Sequence, residues 1–348
     1  MVKFRDLLED ETNSDGGAYG NRTESSTQEK SMNFRCLTSI KPGAERETDE
    51  IRKALYDEAF DYLRHVYDAV KRNTTFKTGI GFGIVENIVE AHPSPDPLLI
   101  KAIHNDEESG FLIRHGVNVA IYAVKIGKSL GWRKEKLVEI GLAGLLHDVG
   151  MALIPEEIIY KVGKLDRKEL DFIRKNPDYG YEILQSPDSS YPYLAECAIQ
   201  SHERTDGSGY PQGLKGVDIH EYARIIGIAE VYEALTHSRP YREKGSPFSA
   251  VKEIIRSEKN HFDKQYLKAL LNTFSVFPIF SCVRLNSRAV GKVIETYPDY
   301  PLRPKLQILY NSRGRKLLSE QIVNLPDNSL LHSVDSVSRE EIGDWVDN

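Results

Sequence analysis

The chain has 348 residues, a formal net charge of −6, 40% hydrophobic and 28% charged residues. The apolar share supports a real core, and the negative balance excludes a chain that binds polyanions over its whole surface, leaving only a local basic patch open. The three cysteines, Cys36, Cys197 and Cys282, form no C-x-x-C pair, which excludes a disulfide framework or a zinc knuckle and suits a reducing compartment. No stretch approaches the roughly 20 apolar residues of a membrane span and no signal-peptide core opens the chain, so the expected location is the cytoplasm.

Taken in order, residues 1–50 are rich in Asp, Glu, Ser, Thr, Gly and Asn and are expected to form a disordered polar tail, since they bury too little to offset chain entropy. From Ile51, the residues Leu55, Ala59, Leu63, Val66 and Val70 recur at spacings of three and four, which makes one helix face. NTTFKTGIGFG breaks that helix and GIVENIVEAH starts another, so 51–97 reads as an N-terminal helical module whose stripe serves core or dimer packing. Residues 98–276 are almost all helical in pattern: Phe111–Leu130, Lys134–Val149, Ile154–Tyr160, Asp166–Arg174, Leu194–His202, Ala223–Leu235, Ser249–Ser257 and Lys264–Phe274. LDRKEL marks one helix start, and the Gly-rich run RTDGSGYPQGLKG is a loop. After Pro278 apolar and polar residues alternate, with an Asn-Ser-Arg-Gly turn that suits a hairpin. Residues 277–325 are therefore expected to be a small β-rich extension, and 326–348 a polar tail. The expected fold class is mainly α, a helical bundle with that extension.

The chemistry centres on LLHDVGMALIP, residues 145–155, where His147 and Asp148 end a buried helix. Ionisable groups there are costly unless paired or ligating, and an imidazole beside a carboxylate suits a divalent metal. His115, His202 with its neighbour Glu203, and Glu230 inside RIIGIAEVYEAL occupy similar positions on other apolar helices. Singly each reads as a satisfied core residue. Together they need either a shared metal or a closed hydrogen-bond network.

The segments RHGVNVA, LAGLLHDVGMALIP, SHERTDGSGYPQGLKG and IHEYARIIGIAEVYEALTHSRPYR, with HFD at 261–263, resemble the HD-GYP family, a branch of the HD metal-dependent phosphohydrolases that hydrolyses cyclic di-GMP. The resemblance implies a first metal centre at His115, His147, Asp148 and Glu230, with Asp148 the catalytic bridging carboxylate. A second ion would use Asp148, His202 and Glu203, and here the pattern departs: Asn176 stands for a histidine, Glu203 for another, and Met151 for a phosphate-binding lysine. Arg239 and Arg242 match residues that contact the dinucleotide phosphates, for which the guanidinium fork is suited. Tyr210 lies in the loop that shapes the site and is linked with GGDEF-type partner proteins, and Glu233 caps a helix.

The implied cofactor is a divalent metal, iron or manganese ahead of zinc, with one ion in the first centre and an altered second position. The implied function is a cyclic di-GMP phosphodiesterase with a changed second metal site. Its alternatives are an inactive binder of cyclic di-GMP or of a GGDEF partner, and a single-metal hydrolase acting on another phosphoester. No nucleic acid polymer is expected as partner, and a homodimer is left open.

Overall fold

The computed structural model describes residues 44–90, 102, 110–185, 191–237, 245–257, 261–274, 276–277, 281–297, 300 and 302–337. The expected N-terminal tail lies largely outside these residues, as do Arg239 and Arg242. Helix α1 runs Ala44–Lys71, so helical structure starts seven residues earlier than the apolar periodicity indicates. Polar residues at its start carry no stripe to announce it.

Helix α2 (Thr78–Glu90) folds back on α1. Two long elements follow, α3 (Phe111–Ser129) and α4 (Lys134–Leu146), and α3 is buried continuously from Ile113 to Gly127. A helix buried on all faces belongs inside the bundle, with other helices around it. Small residues set the distance between α3 and α4: a Cβ at Gly144 would lie 3.0 Å from the Ala120 Cα, so only glycine allows this approach. Tyr56, Ala59, Leu63 and Val66 of α1 enter the same core. The stripe expected to serve core or dimer packing is thus covered within the chain.

After α4 the chain makes a turn at His147 and Asp148 and a 3-10 segment, Val149–Leu153. Short helices α5 (Glu156–Ile159), α6 (Arg167–Ile173), α7 (Asn176–Leu184) and α8 (Tyr193–Gln200) surround it. The start read from LDRKEL is a capping box: the Asp166 carboxylate accepts from Lys168 and Glu169 backbone N–H, and Glu169 accepts from the Asp166 N–H. Helix α9 (Glu221–Thr236) is buried along most of its length, and Tyr232 meets Tyr122 and Phe274 in the centre. Helices α10 (Pro247–Ser257) and α11 (Lys264–Thr273) close the bundle.

The β-rich extension is one antiparallel sheet in the order β4-β3-β2-β1-β5, from β1 (Cys282–Leu285), β2 (Val290–Glu295), β3 (Lys305–Tyr310), β4 (Lys316–Asn324) and β5 (Ser333–Val337). Val283, Leu285, Val293, Leu306 and Ile308 join one face of it to the helical core. Strand β5 falls inside the segment expected to be a tail. It pairs with β1, with Val283 opposite Ser336 and Arg284 opposite Asp335, and its sequence SVDSV is too short and polar to signal a strand on its own. Among the described residues, no helix is long and apolar enough to cross a membrane.

Candidate metal centre

The close contact of α3 with α4 brings His115, on the first, against His147, at the end of the second; their rings are 5.4 Å apart. His115, His147 and Asp148 each present a ligand atom, all within 4.8 Å of one another and all buried. Gly150 allows the remaining approach. A Cβ there would lie 2.1 Å from the Asn176 backbone oxygen, so α7 reaches the Asp148 turn only because position 150 has no side chain.

The two oxygens of Asp148 face different neighbours. Oδ2 lies 3.7 Å from His115 Nε2 and 3.6 Å from His147 Nε2. Oδ1 accepts from the Asn176 amide Nδ2 at 2.6 Å and lies 3.3 Å from His202 Nε2. The same Asn176 nitrogen is 3.3 Å from His202 Nε2.

On the Oδ2 side, two donors about 2.1 Å from an ion at the tetrahedral angle would lie about 3.4 Å apart, close to the observed spacings. The imidazoles are fixed for this task. His147 Nδ1 bonds the Gly144 carbonyl at 2.8 Å, and its buried Nε2 has no hydrogen-bond partner. His115 Nδ1 lies 2.5 Å from Glu233 Oε2, which turns Nε2 inward. Glu233, expected only to cap its helix, is instead a buried anchor for a candidate ligand. Asn118 donates to its other oxygen at 3.2 Å, and Tyr56 donates to Asn118. Partners of this kind set ligand orientation and tautomer. Glu233→Gln is expected to weaken metal affinity roughly 10- to 100-fold with the fold intact, which a competition titration against a chromophoric chelator will measure.

Charge organises the other side. Burial alone would raise Asp148, but the surrounding imidazoles, His147 first, hold its carboxyl well below the usual carboxylate range. Burial alone would lower His202, yet the carboxylate of Glu230, Tyr210 and Asp148 raise it well above its ordinary value. Burial likewise opposes the ionisation of Glu230, and His202 and Arg204 bring it down to about 2. His147 has no such excess of anions and is lowered by burial. His202 therefore sits as a cation between Asp148 and Glu230, which is 3.3 Å from its Nδ1.

Glu230, expected among the first-centre ligands, lines the same pocket, but its carboxylate is turned to His202 and Arg204. Glu203 departs further from expectation. Its Oε1 accepts from Gln212 and Gly213 N–H at 2.7 and 3.1 Å, and its Oε2 accepts from Leu214 N–H at 3.0 Å. A carboxylate tied to three loop amides holds the Gly-rich loop in place and is not directed at the cluster. Glu203→Ala is expected to cost about 3 kcal/mol, the loss of several hydrogen bonds to a buried charge, seen as a lower melting temperature at unchanged metal content.

The loop so fixed presents Tyr210, whose ring stacks on His202 at 5.0 Å with planes 5° apart. The Arg174 guanidinium lies 5.7 Å from the same ring, a cation–π contact that the sequence reading missed. Above the polar floor the pocket, a cavity of about 80 Å³, is walled by Phe111, Leu112, Met151, Ile158 and Ile159. Met151, where a lysine was expected from the resemblance, makes that wall apolar. Among the described residues lining the pocket there is no lysine or arginine.

Residues 97–266 match the HD domain family, and residues 282–344 match the KOW domain associated with HD domain. The cyclic di-GMP phosphodiesterase PA4108 of Pseudomonas aeruginosa is 31% identical over 234 residues, covering 67% of this chain and 56% of that one. The chain belongs to the HD-GYP family. The cyclic di-GMP phosphodiesterase PdeB of Borreliella burgdorferi is 28% identical over 272 residues, 76% of this HD-GYP chain and 72% of its own. The chain thus spans little more than half the length of the first of these relatives. Among solved structures, the HDG"Y"P protein Bd1817 of Bdellovibrio bacteriovorus superposes with a TM-score of 0.55 at 16% identity, covering 66% of this chain and 73% of that one, a likeness of fold. HD domains bind divalent metal ions, and the His115, His147 and Asp148 cluster suits one.

Proposed function

We propose that this HD-GYP protein is a metal-dependent phosphodiesterase that hydrolyses cyclic di-GMP with one divalent ion held by His115, His147 and Asp148. The observation that carries this reading is the buried, unpartnered Nε2 of His147 facing Asp148 Oδ2. A buried nitrogen with no hydrogen-bond partner is costly unless it ligates. The donor set is two imidazoles and a carboxylate with no thiolate, which suits iron or manganese. A divalent ion there supplies Lewis acidity toward a phosphoryl oxygen and makes water a competent nucleophile near neutral pH.

The protein's own groups do the rest. Glu233 and the Gly144 carbonyl aim the imidazoles. Asn176 Nδ2 and His202 occupy the Oδ1 side of Asp148, with an amide donor and a cationic ring where a second ion would neutralise that oxygen. The apolar wall around Met151 limits water at the reacting phosphate. Arg239 and Arg242, by the family resemblance, contact the dinucleotide phosphates. The Gly-rich loop around Tyr210 is the surface proposed for a GGDEF-type partner.

Hydrolysis breaks one P–O bond of the ring and places the water oxygen on phosphorus, giving a linear dinucleotide. Chromatography of cyclic di-GMP incubated with manganese- or iron-loaded protein tests the reading: linear product that disappears after chelation supports it. Binding without turnover, which Met151 and Asn176 favour as a second reading, would show in the same samples as retained ligand and no product. Absence of both binding and turnover sinks the two readings together.

A further inference from the structure

Two tight turns of the sheet carry the same tripeptide, Asn286-Ser287-Arg288 between β1 and β2 and Asn311-Ser312-Arg313 between β3 and β4. Both turns have one hydrogen-bond pattern. Leu285 N–H donates to the Ala289 carbonyl and Arg288 N–H to the Leu285 carbonyl, each at 2.8 Å; Asn311 N–H donates to Arg315 and Gly314 N–H to Asn311, each at 3.0 Å. Superposed on that pattern the tripeptides are offset by one residue, so Arg288 stands where the second turn has Gly314. Both residues are left-handed, with φ of 70° and 74°.

Glycine is the usual occupant of this position in a three-residue hairpin loop, and a side chain there is disfavoured. Keeping an arginine in a strained turn calls for a reason, and such positions collect at binding sites. The surroundings supply one. Arg284, Arg288, Ser312, Arg313 and Gly314 line an open cleft of about 630 Å³ between the two turns, with no acidic residue among the described lining residues. Arg284 stands opposite Asp335 in the register of β1 and β5 and is half-buried, whereas Arg288 and Arg313 are both exposed. Side-chain bonds hold both turns: Asn286 bridges Leu330 and His332, and Asn311 accepts from Arg313 and Arg315 N–H. The cleft falls within the size range of small-molecule sites, roughly 300–1,000 Å³, and guanidinium forks match phosphate oxygens in pairs.

We propose that this cleft, on the opposite part of the sequence from the HD motif, binds a compact oligophosphate, either free or as the phosphate end of a nucleotide. The chain as a whole carries −6, so the positive cleft is a local exception and favours a small anion over an extended polyanion.

Calorimetric titration of the full chain tests the proposal with three probes: inorganic tripolyphosphate, GTP and a single-stranded RNA. Binding of tripolyphosphate points to a free oligophosphate and of GTP alone to a nucleotide; either supports the site. Arg288→Gly is the decisive variant, because it removes the charge while placing the favoured residue in the turn. It is expected to weaken binding about tenfold or more, the loss of a charge-assisted contact, with a melting temperature no lower than that of the parent chain. Glu233→Gln, which loosens the metal centre with the fold intact, is expected to leave this binding unchanged. Binding that persists in Arg288→Gly, binding lost in Glu233→Gln, RNA binding with no response to either small probe, or no binding to any of the three probes overturns the proposal.

Discussion

Asp148→Ala is expected to remove bound metal and to lower cyclic di-GMP turnover by at least 10²–10³-fold, roughly the loss from deleting one well-placed electrostatic group. The expectation follows from the two faces of one carboxylate. Its Oδ2 completes the donor set with His115 and His147, and its Oδ1 balances the Asn176 amide and the cationic His202. The alanine variant therefore leaves a buried imidazolium with Glu230 as its main counter-charge, and stability should fall with activity. Removing one partner from a buried ion pair costs on the order of 3–5 kcal/mol. Metal content, turnover and melting temperature measured on one preparation check the three effects. An alanine variant that keeps its metal would show that the ion is held elsewhere.

Asn176→His is expected to act in the opposite direction. The amide nitrogen of Asn176 lies 2.6 Å from Asp148 Oδ1 and 3.3 Å from His202 Nε2, so a hydrogen-bond donor stands between two groups able to ligate. An imidazole there exchanges the donor for a lone pair. Met151 and the neighbouring cavity offer the larger ring room. The expected result is a second bound ion and a gain in turnover of about 10- to 100-fold, the reverse of the losses caused by weakening a metal site. In iron-loaded protein a spin-coupled pair would appear by Mössbauer spectroscopy. An Asn176→His chain that binds metal and hydrolyses substrate as its parent does would remove the amide from the account.

How much of this could be read from the residues depends on the range of the interactions. The bundle was legible because α1, α3 and α9 carry their apolar residues at helical spacing, and the sheet because β1 and β3 alternate. His147 and Asp148 stood out as ionisable residues at the end of an apolar run, and His115 and His202 joined them as ionisable groups on other apolar helices, with the motif resemblance assigning their roles. Glu203 misled for a physical reason: adjacency to His202 in sequence says nothing of where its carboxylate turns, and the loop amides of Gln212, Gly213 and Leu214 capture it. Glu233 was undervalued because its partner, His115, lies 118 residues away. Strand β5 needs β1 beside it to be a strand at all, and the left-handed turn at Arg288 carries no glycine to announce it. Such features belong to tertiary context.

The proposed centre holds one divalent ion on the Oδ2 side of Asp148, with the Oδ1 side taken by an amide and an imidazolium. Its most direct test is elemental analysis of the full chain, purified without a metal-affinity tag and equilibrated with excess manganese or iron before desalting. One tightly held ion per chain is expected, lost in the Asp148→Ala variant. Two ions per chain, or none, would contradict it.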